Sequence, residues 1–501
     1  MELNGIKVVT AQEMKDIENR AFQKGYSELE FMQQAGVSVA IEVEKFIQER
    51  KLPKEVLLFA GKGNNAGDGF AAGAVLVAKG YSVIAYPIYP IERFSALCRN
   101  MYENFCAQGG KIEFSLEKIQ ERMNHAGLIL DALVGTGMKR NADNELASAI
   151  EIANLSKLPI LAIDIPSGLN GTTGEVGSIA IHATKTIYLE LAKTGFFLRD
   201  GWDHVGEIVR GGFGLPEDQV KASACLLNLS SLQLPSIQRS WHKYQKGYVV
   251  AVAGSKEMPG AAILASYAAL RSGAGIVRLF SPDKILVPYE MIHQILDDKN
   301  FDRLDQEIVR AKAVLVGPGL GREQKTDTIV QHLLKFNKPL VIDADALFSL
   351  AKYPSWKLPP SCILTPHKQE MKRLLGSDTT QEIDWLSSCQ NYVEEKQVPL
   401  VLKGAPTLIF TPSHLPLIIT QADPALATAG SGDVLTGVIA ALLCHQLPSR
   451  YAAALGCFIH AIAGKKAAGD LTSYSVIASD LLDYLPKAFC LVKDATYSQE
   501  L

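Results

Sequence analysis

The chain has 501 residues, 48% hydrophobic and 21% charged, with 50 basic side chains against 53 acidic ones for a formal charge of −3. Its length suggests two or three domains at ~100–200 residues each, and the near-even charge balance gives no electrostatic reason to expect nucleic acid or an anionic membrane as partner. The longest apolar stretch, Val438 to Cys444, is far short of the ~20 residues that span a bilayer, and the charged N-terminus lacks an apolar signal core, so a cytoplasmic protein is expected.

Two helices open the chain. Thr10–Glu13 and Ser27–Glu30 both fit a capping box, a hydroxyl and a glutamate three residues on, and helically spaced apolar residues follow each. From Glu55 short apolar runs alternate with helical segments. VLLFA (56–60), YSVIAYPIY (81–89), GLILDALVG (127–135) and PILAIDIPS (159–167) read as buried parallel strands, and TIYLEL (186–191) and GEIVRG (206–211) extend the sheet. This first α/β unit covers 1–217. The stretch 218–240 has no sustained period and reads as a connection. A second α/β series fills 241–495, through YVVAVAGS, IVRLF, AVLVGPGLG, PLVIDADAL, CILTPH and PLVLKGAPTLIF. Its last third, LATAGSGDVLTGVIAALL, reads as a glycine turn opening a buried helix. Eight cysteines lie scattered without CxxC spacing, which argues against a structural zinc or a disulfide framework and for small buried hydrophobes.

Ligands of open parallel sheets gather at the carboxyl ends of the strands, where loops expose amides and helix N-termini. In the first half VLLFA runs into Gly61-Lys-Gly-Asn-Asn-Ala-Gly-Asp-Gly69. The segment fits G-x-G-x-x-G/A, yet the next strand ends without the acid that a dinucleotide-binding unit places there. Asp131 and Asp164 each sit inside an apolar strand end, where a carboxylate is costly without a partner. Each either caps a nearby loop or handles a cation or a proton, and three such features at adjacent strand ends favour the second role.

Taken in order, GKGNNAGDG, DALVGTG and DIPSGLNGTTGEV resemble the NAD(P)H-hydrate epimerase family over roughly residues 1–215. The resemblance implies a Rossmann-like, three-layer α/β/α domain. It assigns a potassium ion to Asn65, Asp131 and Ser167, a set of oxygen ligands that suits a hard cation. The phosphates and ribose of the substrate would be cradled by Asn64, Asn65, Ala66, Gly67 and Asp68 and by the loop Gly135, Thr136, Gly137, Met138, Lys139, Arg140 and Asn141. Asp164 would be the acid/base beside the hydrated nicotinamide ring, where inversion needs proton transfer so that an oxygen can leave and return. Ala66 stands where the family usually has glycine and would crowd the phosphate turn; Thr184 stands where an acid is common.

In the second half Thr428-Ala-Gly-Ser-Gly-Asp433 precedes a buried helix. Amides of a Gly-Ser-Gly turn at a helix N-terminus form an anion hole, and an aspartate at its mouth can accept a hydroxyl proton as a phosphoryl group arrives. With AGSKEMPGAAILASYAALRSGAGIV, VGPGLG, DADAL, TPHKQEM and LKGAPT, this segment resembles the ribokinase-like ADP/ATP-dependent NAD(P)H-hydrate dehydratase family over about residues 240–490. The resemblance implies that Ala261, Gly319, Gly321, His367 and Asp433 face the hydrate, and that Lys403, Gly404, Ala405, Pro406, Thr407, Ala429, Gly430, Ser431 and Gly432 line the nucleotide. Lys368, Gln369 and Phe348 depart from the family pattern around the nucleotide.

The resulting expectation is a bifunctional, homo-oligomeric enzyme acting on hydrated NADH and NADPH. One half epimerises the R and S hydrates. The other dehydrates the S hydrate through a phosphorylated intermediate, using Mg²⁺ with ADP or ATP, with Asp433 as base. Two rivals share parts of this pattern: a vitamin or sugar kinase joined to an unrelated α/β domain, and an N-terminal half kept as a non-catalytic binding module.

Overall fold

In the N-terminal unit nine short strands follow one another along the chain: β1 (Gly5–Val9), β2 (Glu55–Ala60), β3 (Ser82–Pro87), β4 (Lys111–Ile112), β5 (Leu128–Ala132), β6 (Ile160–Ile163), β7 (Lys185–Leu189), β8 (Ala192–Lys193) and β9 (Glu207–Gly211). The computed structural model describes residues 3, 5–137, 142–216, 222–296, 301–376 and 383–497. Seven of the strands form a parallel sheet in the order β4-β3-β2-β5-β6-β7-β9. Side chains alternate across it with period two. Val56, Leu58 and Ala60 pack with the helices Ala11–Gln23, Glu28–Arg50, Asn64–Ala78 and Ala96–Ala107, while Leu57 and Phe59 pack with Asn144–Leu155 on the other face. This is the three-layer α/β/α architecture expected. The strand order reverses between β2 and β5, so the loops that follow these two strands flank the switch point where such sheets bind ligands. Gly61 is required there. A Cβ on it would lie 1.8 Å from the Leu133 carbonyl oxygen of the neighbouring loop.

The C-terminal unit adds β10 (Ala224–Leu227), β11 (Tyr248–Val252), β12 (Ile276–Ser281), β13 (Ile292–Ile295), β14 (Ala313–Val316), β15 (Leu340–Ile342), β16 (Cys362–Leu364), β17 (Leu400–Leu402), β18 (Thr407–Thr411) and β19 (His414–Ile419). They lie in the order β13-β12-β11-β14-β15-β16-β17-β18-β19-β10. The pairs from β13 to β17 are parallel, and β17-β18-β19 form an antiparallel meander. One face of this sheet (Val249, Ala251, Leu315, Val341, Ile363, Val401) packs under the helices Pro259–Arg271, Ser431–Cys444, Ser449–Leu471 and Ala478–Tyr497. From Val434 to Cys444 every residue is buried, which explains the uninterrupted apolar run. The helix-flanked, mainly parallel sheet makes this unit α/β, as expected. No helix among the described residues is long and apolar enough to cross a membrane.

Three local features differ from the sequence reading. The chain opens on a strand, β1, which pairs in parallel with β8. Thr10 and Glu13 form the full reciprocal cap, whereas Ser27 accepts from the Glu30 amide without the return bond. The compact units are Ile6–Ala224 and Met1–Gly5 with Cys225–Leu501. Within the stretch read as an irregular connection, β10 pairs with β19 and Leu232 is buried in the C-terminal core. β10 is a run of four apolar residues, ACLL, with only Ala224 and Leu226 buried, too short for a period to show.

Candidate active sites

A cavity of about 440 Å³ opens at the switch point of the N-terminal sheet. Its walls include Lys62, Gly63, Asn64, Asn65 and Asp68 from the loop and helix after β2, Gly135–Gly137 from the loop after β5, and Asp164 from the end of β6. The helix Asn64–Ala78 starts at Gly63 with no side chain capping its first amides, so those donors face the cavity side of the loop. Ala66 is not among the residues lining this cavity; its methyl is fully buried in the apolar core. Met138, Lys139, Arg140 and Asn141 lie outside the described residues.

Asp164 adopts a left-handed backbone conformation, φ 64°, unusual for a residue with a side chain. Its Oδ1 is ion-paired with the Lys193 ammonium and accepts from the Leu189 amide at 3.2 Å, while Lys193 also donates to the Leu189 carbonyl at 3.2 Å. Lys193 is completely buried, and a lysine so placed is tolerable only with such partners. Three further carboxyls, Glu18, Glu28 and Asp68, line the cavity. Burial pushes Glu18 up to about 7, against the pull of Lys193 and with the charges of Asp164 and Glu28 adding to it. Burial likewise holds Asp68 well above the usual carboxylate range, reinforced by Asp164 and Glu18 and opposed by Lys193.

Asp131 and Ser167 are fully buried. The Asp131 carboxylate accepts from the Ser167 hydroxyl at 2.6 Å, the Ser167 amide at 2.9 Å and the Leu133 amide at 3.2 Å. Burial raises it to about 6 against these three neutral donors. Asn65 is buried too, and both atoms of its amide lack a hydrogen-bond partner. The Asn65 amide lies beside Gly135 of the loop after β5, and its orphaned oxygen and the Asp131 carboxylate, which has only neutral donors, are each suited to a bound cation.

In the C-terminal unit the helix Ser431–Cys444 begins at Gly430, φ 90°, again with no side-chain cap. Asp433 in its first turn is pushed up to about 7 by burial and then by the charge of Asp343, with Lys403 pulling the other way and Asp345 and Glu370 adding smaller repulsions. Lys403 follows β17. Its Nζ is 2.7 Å from Asp343 Oδ1 and 3.8 Å from Glu370 Oε2. Burial acts to lower the Lys403 ammonium, but Asp343, Glu370 and Asp433 outweigh it and hold it above the usual lysine range. The other Asp343 oxygen accepts from the Thr436 hydroxyl at 2.6 Å. A Cβ on Gly432 would come 3.2 Å from Lys403 Nζ, so the lysine reaches the glycine turn. Ser431 is anchored through its hydroxyl to the Leu426 carbonyl and through its own carbonyl to His460 Nε2. Burial lowers His460 to about 4, so it is a neutral donor at ordinary pH.

His367 has a structural role already. Its Nδ1 accepts from the amides of Gln369 and Glu370, capping the helix Lys368–Leu374, and the Glu370 carboxylate returns a bond to the His367 amide. A parallel bridge sets His367 beside Lys403. Gly404 and Ala405 are exposed at the turn after β17, Pro406 is buried, and Thr407 donates to the Gly404 carbonyl. Ala429 is exposed at the mouth of the turn. Gly319 packs within 3.1 Å of Ala261, counted to a Cβ built on it, and the Gly321 amide donates to Asp345. Phe348 lies under the Arg322 guanidinium, which is ion-paired with Asp345. Sequence reasoning missed Glu18, Lys193, Asp343 and Glu370; Asp343 and Lys193, charges at the ends of apolar runs, carry the same signal that exposed Asp131 and Asp164.

Comparisons with known proteins agree with both halves. A family model described as NAD(P)H-hydrate dehydratase matches residues 249–487, and one described as YjeF-related protein N-terminus matches residues 28–195. The chain is 34% identical over 508 residues to a bifunctional NAD(P)H-hydrate repair enzyme Nnr of Moorella thermoacetica, covering 96% of each chain. It is 31% identical over 445 residues to the protein of that name from Escherichia coli K12, covering 86% of this chain and 84% of the relative. A solved ADP/ATP-dependent NAD(P)H-hydrate dehydratase from Bacillus subtilis, co-crystallised with ATP and Mg²⁺, shares 28% identity with a TM-score of 0.46, over 53% of this chain and 96% of that one. The chain belongs to the family of bifunctional NAD(P)H-hydrate repair enzymes.

Proposed function

We propose that the protein repairs hydrated NADH and NADPH, interconverting the hydrate epimers in its N-terminal unit and dehydrating the S hydrate in its C-terminal unit with ADP or ATP as phosphoryl donor. The observation that carries this reading is shared by the two units. Each sets an aspartate withdrawn from water, Asp164 or Asp433, in a site that also presents a helix N-terminus capped only by glycine.

In the first unit the Gly63-capped helix and the loop Gly135–Gly137 receive the phosphates, and Asp164, held by Lys193, transfers a proton at the oxygen that leaves and returns on the hydroxyl-bearing ring carbon. Asn65, Asp131 and Ser167 are the residues that would hold potassium, a fit supported by the orphaned Asn65 amide and the buried, cation-free Asp131. Bound there, the ion supplies positive charge beside the phosphate-binding loops.

In the second unit Asp433 takes the hydroxyl proton of the hydrate as the phosphoryl group arrives, and the amides of Ala429–Gly432 stabilise the transferring charge. Lys403 and the turn Gly404–Thr407 hold the nucleotide, and Ala261, Gly319, Gly321 and His367 face the hydrate. Phosphate then leaves with help from the ring nitrogen's lone pair, a far better departure than hydroxide. Among the described residues the carboxylates near Asp433 (Asp343, Asp345 and Glu370) do not form a ready three-ligand metal site, so Mg²⁺ would enter with the nucleotide, whose phosphate charge it would neutralise. Mixed hydrate epimers given to the protein with Mg²⁺ and ADP or ATP test the reading. Reduced-nicotinamide absorbance returns for both epimers if it holds. A stable phosphorylated product without that absorbance would instead mark a small-molecule kinase.

A further inference from the structure

The N-terminal cavity is lined by the carboxyl groups of Glu18, Glu28, Asp68 and Asp164 and by Lys62, while Lys193 pairs with Asp164. Glu18, half-buried on the helix Ala11–Gln23, lines the cavity with Asp68 and Asp164. Lys193 is committed to Asp164 and the Leu189 carbonyl. Asp164 is committed in turn. The Leu189 amide and the lysine hold its Oδ1, and its backbone is fixed in the left-handed region at the end of β6.

Inversion at a carbon bearing a hydroxyl asks for two proton transfers on opposite faces of the ring. One group protonates the oxygen that departs, and another takes a proton from the water that returns. A single carboxylate anchored this firmly cannot serve both faces. Glu18 comes from a different element, the first helix, and reaches the same cavity.

We propose that Glu18 is the second catalytic residue of epimerisation, giving its proton to the departing hydroxyl while Asp164 takes one from the returning water. This rests on the epimerase reading above. The ring nitrogen's lone pair forms a C=N bond as the carbon–oxygen bond breaks, and the hydroxyl leaves as water with the Glu18 proton. Water then adds to the opposite face, its carbon–oxygen bond forms, the C=N pair returns to nitrogen, and its proton passes to Asp164. Glu18 ends ionised and Asp164 protonated; turnover of the opposite epimer, or exchange with solvent, resets both. Burial places Glu18 at about 7, opposed by Lys193 and reinforced by Asp164 and Glu28, so the acid form is available at neutral pH.

The experiment follows epimer interconversion by chromatography in the full chain, without nucleotide, so that dehydration is silent. If the unaltered protein fails to interconvert the epimers, the epimerase reading itself falls. If it does interconvert them, Glu18→Gln is expected to lower kcat by roughly 10²–10⁴ with little change in KM, as for loss of a general acid. Because Glu18 acts as an acid, the unaltered protein should lose activity as pH rises through about 7. That limb should vanish in Glu18→Gln, persist in Asp68→Asn, and return with partial activity in Glu18→Asp. Unchanged kcat in Glu18→Gln, or a loss confined to KM with the alkaline limb intact, overturns the proposal.

Discussion

In the N-terminal unit a lysine reaches the aspartate proposed to react, Lys193 to Asp164; in the C-terminal unit a lysine reaches a neighbour of the proposed base, Lys403 to Asp343, and leaves Asp433 without a bond from it. Each site therefore contains a lysine-paired carboxylate and an acid, Glu18 or Asp433, pushed up to about 7 chiefly by burial. The reaction assigned to each unit uses the near-neutral group in the opposite form. Glu18 must carry its proton to release an oxygen, and Asp433 must have lost its proton to accept one. Desolvation is the main cause of both values, and in each cluster a lysine ammonium opposes it.

The largest test of this contrast removes the base. Asp433→Asn keeps the shape of the helix N-terminus but cannot take the proton, so dehydration should fall by roughly 10²–10⁴ while epimer interconversion continues. The unaltered protein's kcat/KM for dehydration should climb as pH rises through about 7, the reverse of epimerisation. Asp343→Asn removes the charge that, after burial, does most to raise Asp433, so the limb should move to lower pH. A dehydration profile flat between pH 5 and 9 in the free enzyme would break the comparison.

Ions offer a second separation. Potassium should support the N-terminal reaction through Asn65, Asp131 and Ser167, and Asp131→Ala removes the only formal charge in that set. Thermal stability of the unaltered protein should rise with potassium over lithium at equal ionic strength, because a ligand bound to the folded state stabilises it by mass action. The variant should lose that difference. Equal melting curves in both salts for the unaltered protein would count against the ion assignment.

How far the sequence alone could be read depends on which physical signal each residue sends. The glycine turns and the strands that feed them stand out because buried parallel strands are short apolar runs and the turns interrupt them. Asp131 and Asp164 stand out because a carboxylate within such a run is costly. Asp343 in VIDADAL and Lys193 in LELAKTG break the same rule, and their partners become visible only once the fold brings strand ends together. Glu18 sends no such signal. It is one charge among several on an amphipathic helix, beside Lys15 and Asp16, and only the packed structure turns it toward the cavity. β10 escapes for another reason, since a four-residue run with two buried side chains is too short to make a period.

The smallest expected effects divide the C-terminal cleft. Lys403→Ala should raise the nucleotide KM more than the hydrate KM, because the ammonium that reaches the glycine turn is the charge available to phosphate. It also leaves Asp343 buried without its cation, so the variant's melting temperature should be measured alongside. His367→Ala should do the reverse and raise the hydrate KM more. The histidine, however, caps the helix Lys368–Leu374 through Nδ1, and losing an N-cap alone costs about 1 kcal/mol. His367→Asn separates the two roles, since asparagine caps as well as histidine does here but presents no imidazole to the substrate. If His367 faces the hydrate, the asparagine variant should keep the native melting temperature and still show the raised hydrate KM. If its work is capping, asparagine should restore both, and the hydrate would then have to be held by Asp433 and the backbone around Gly319 and Gly321.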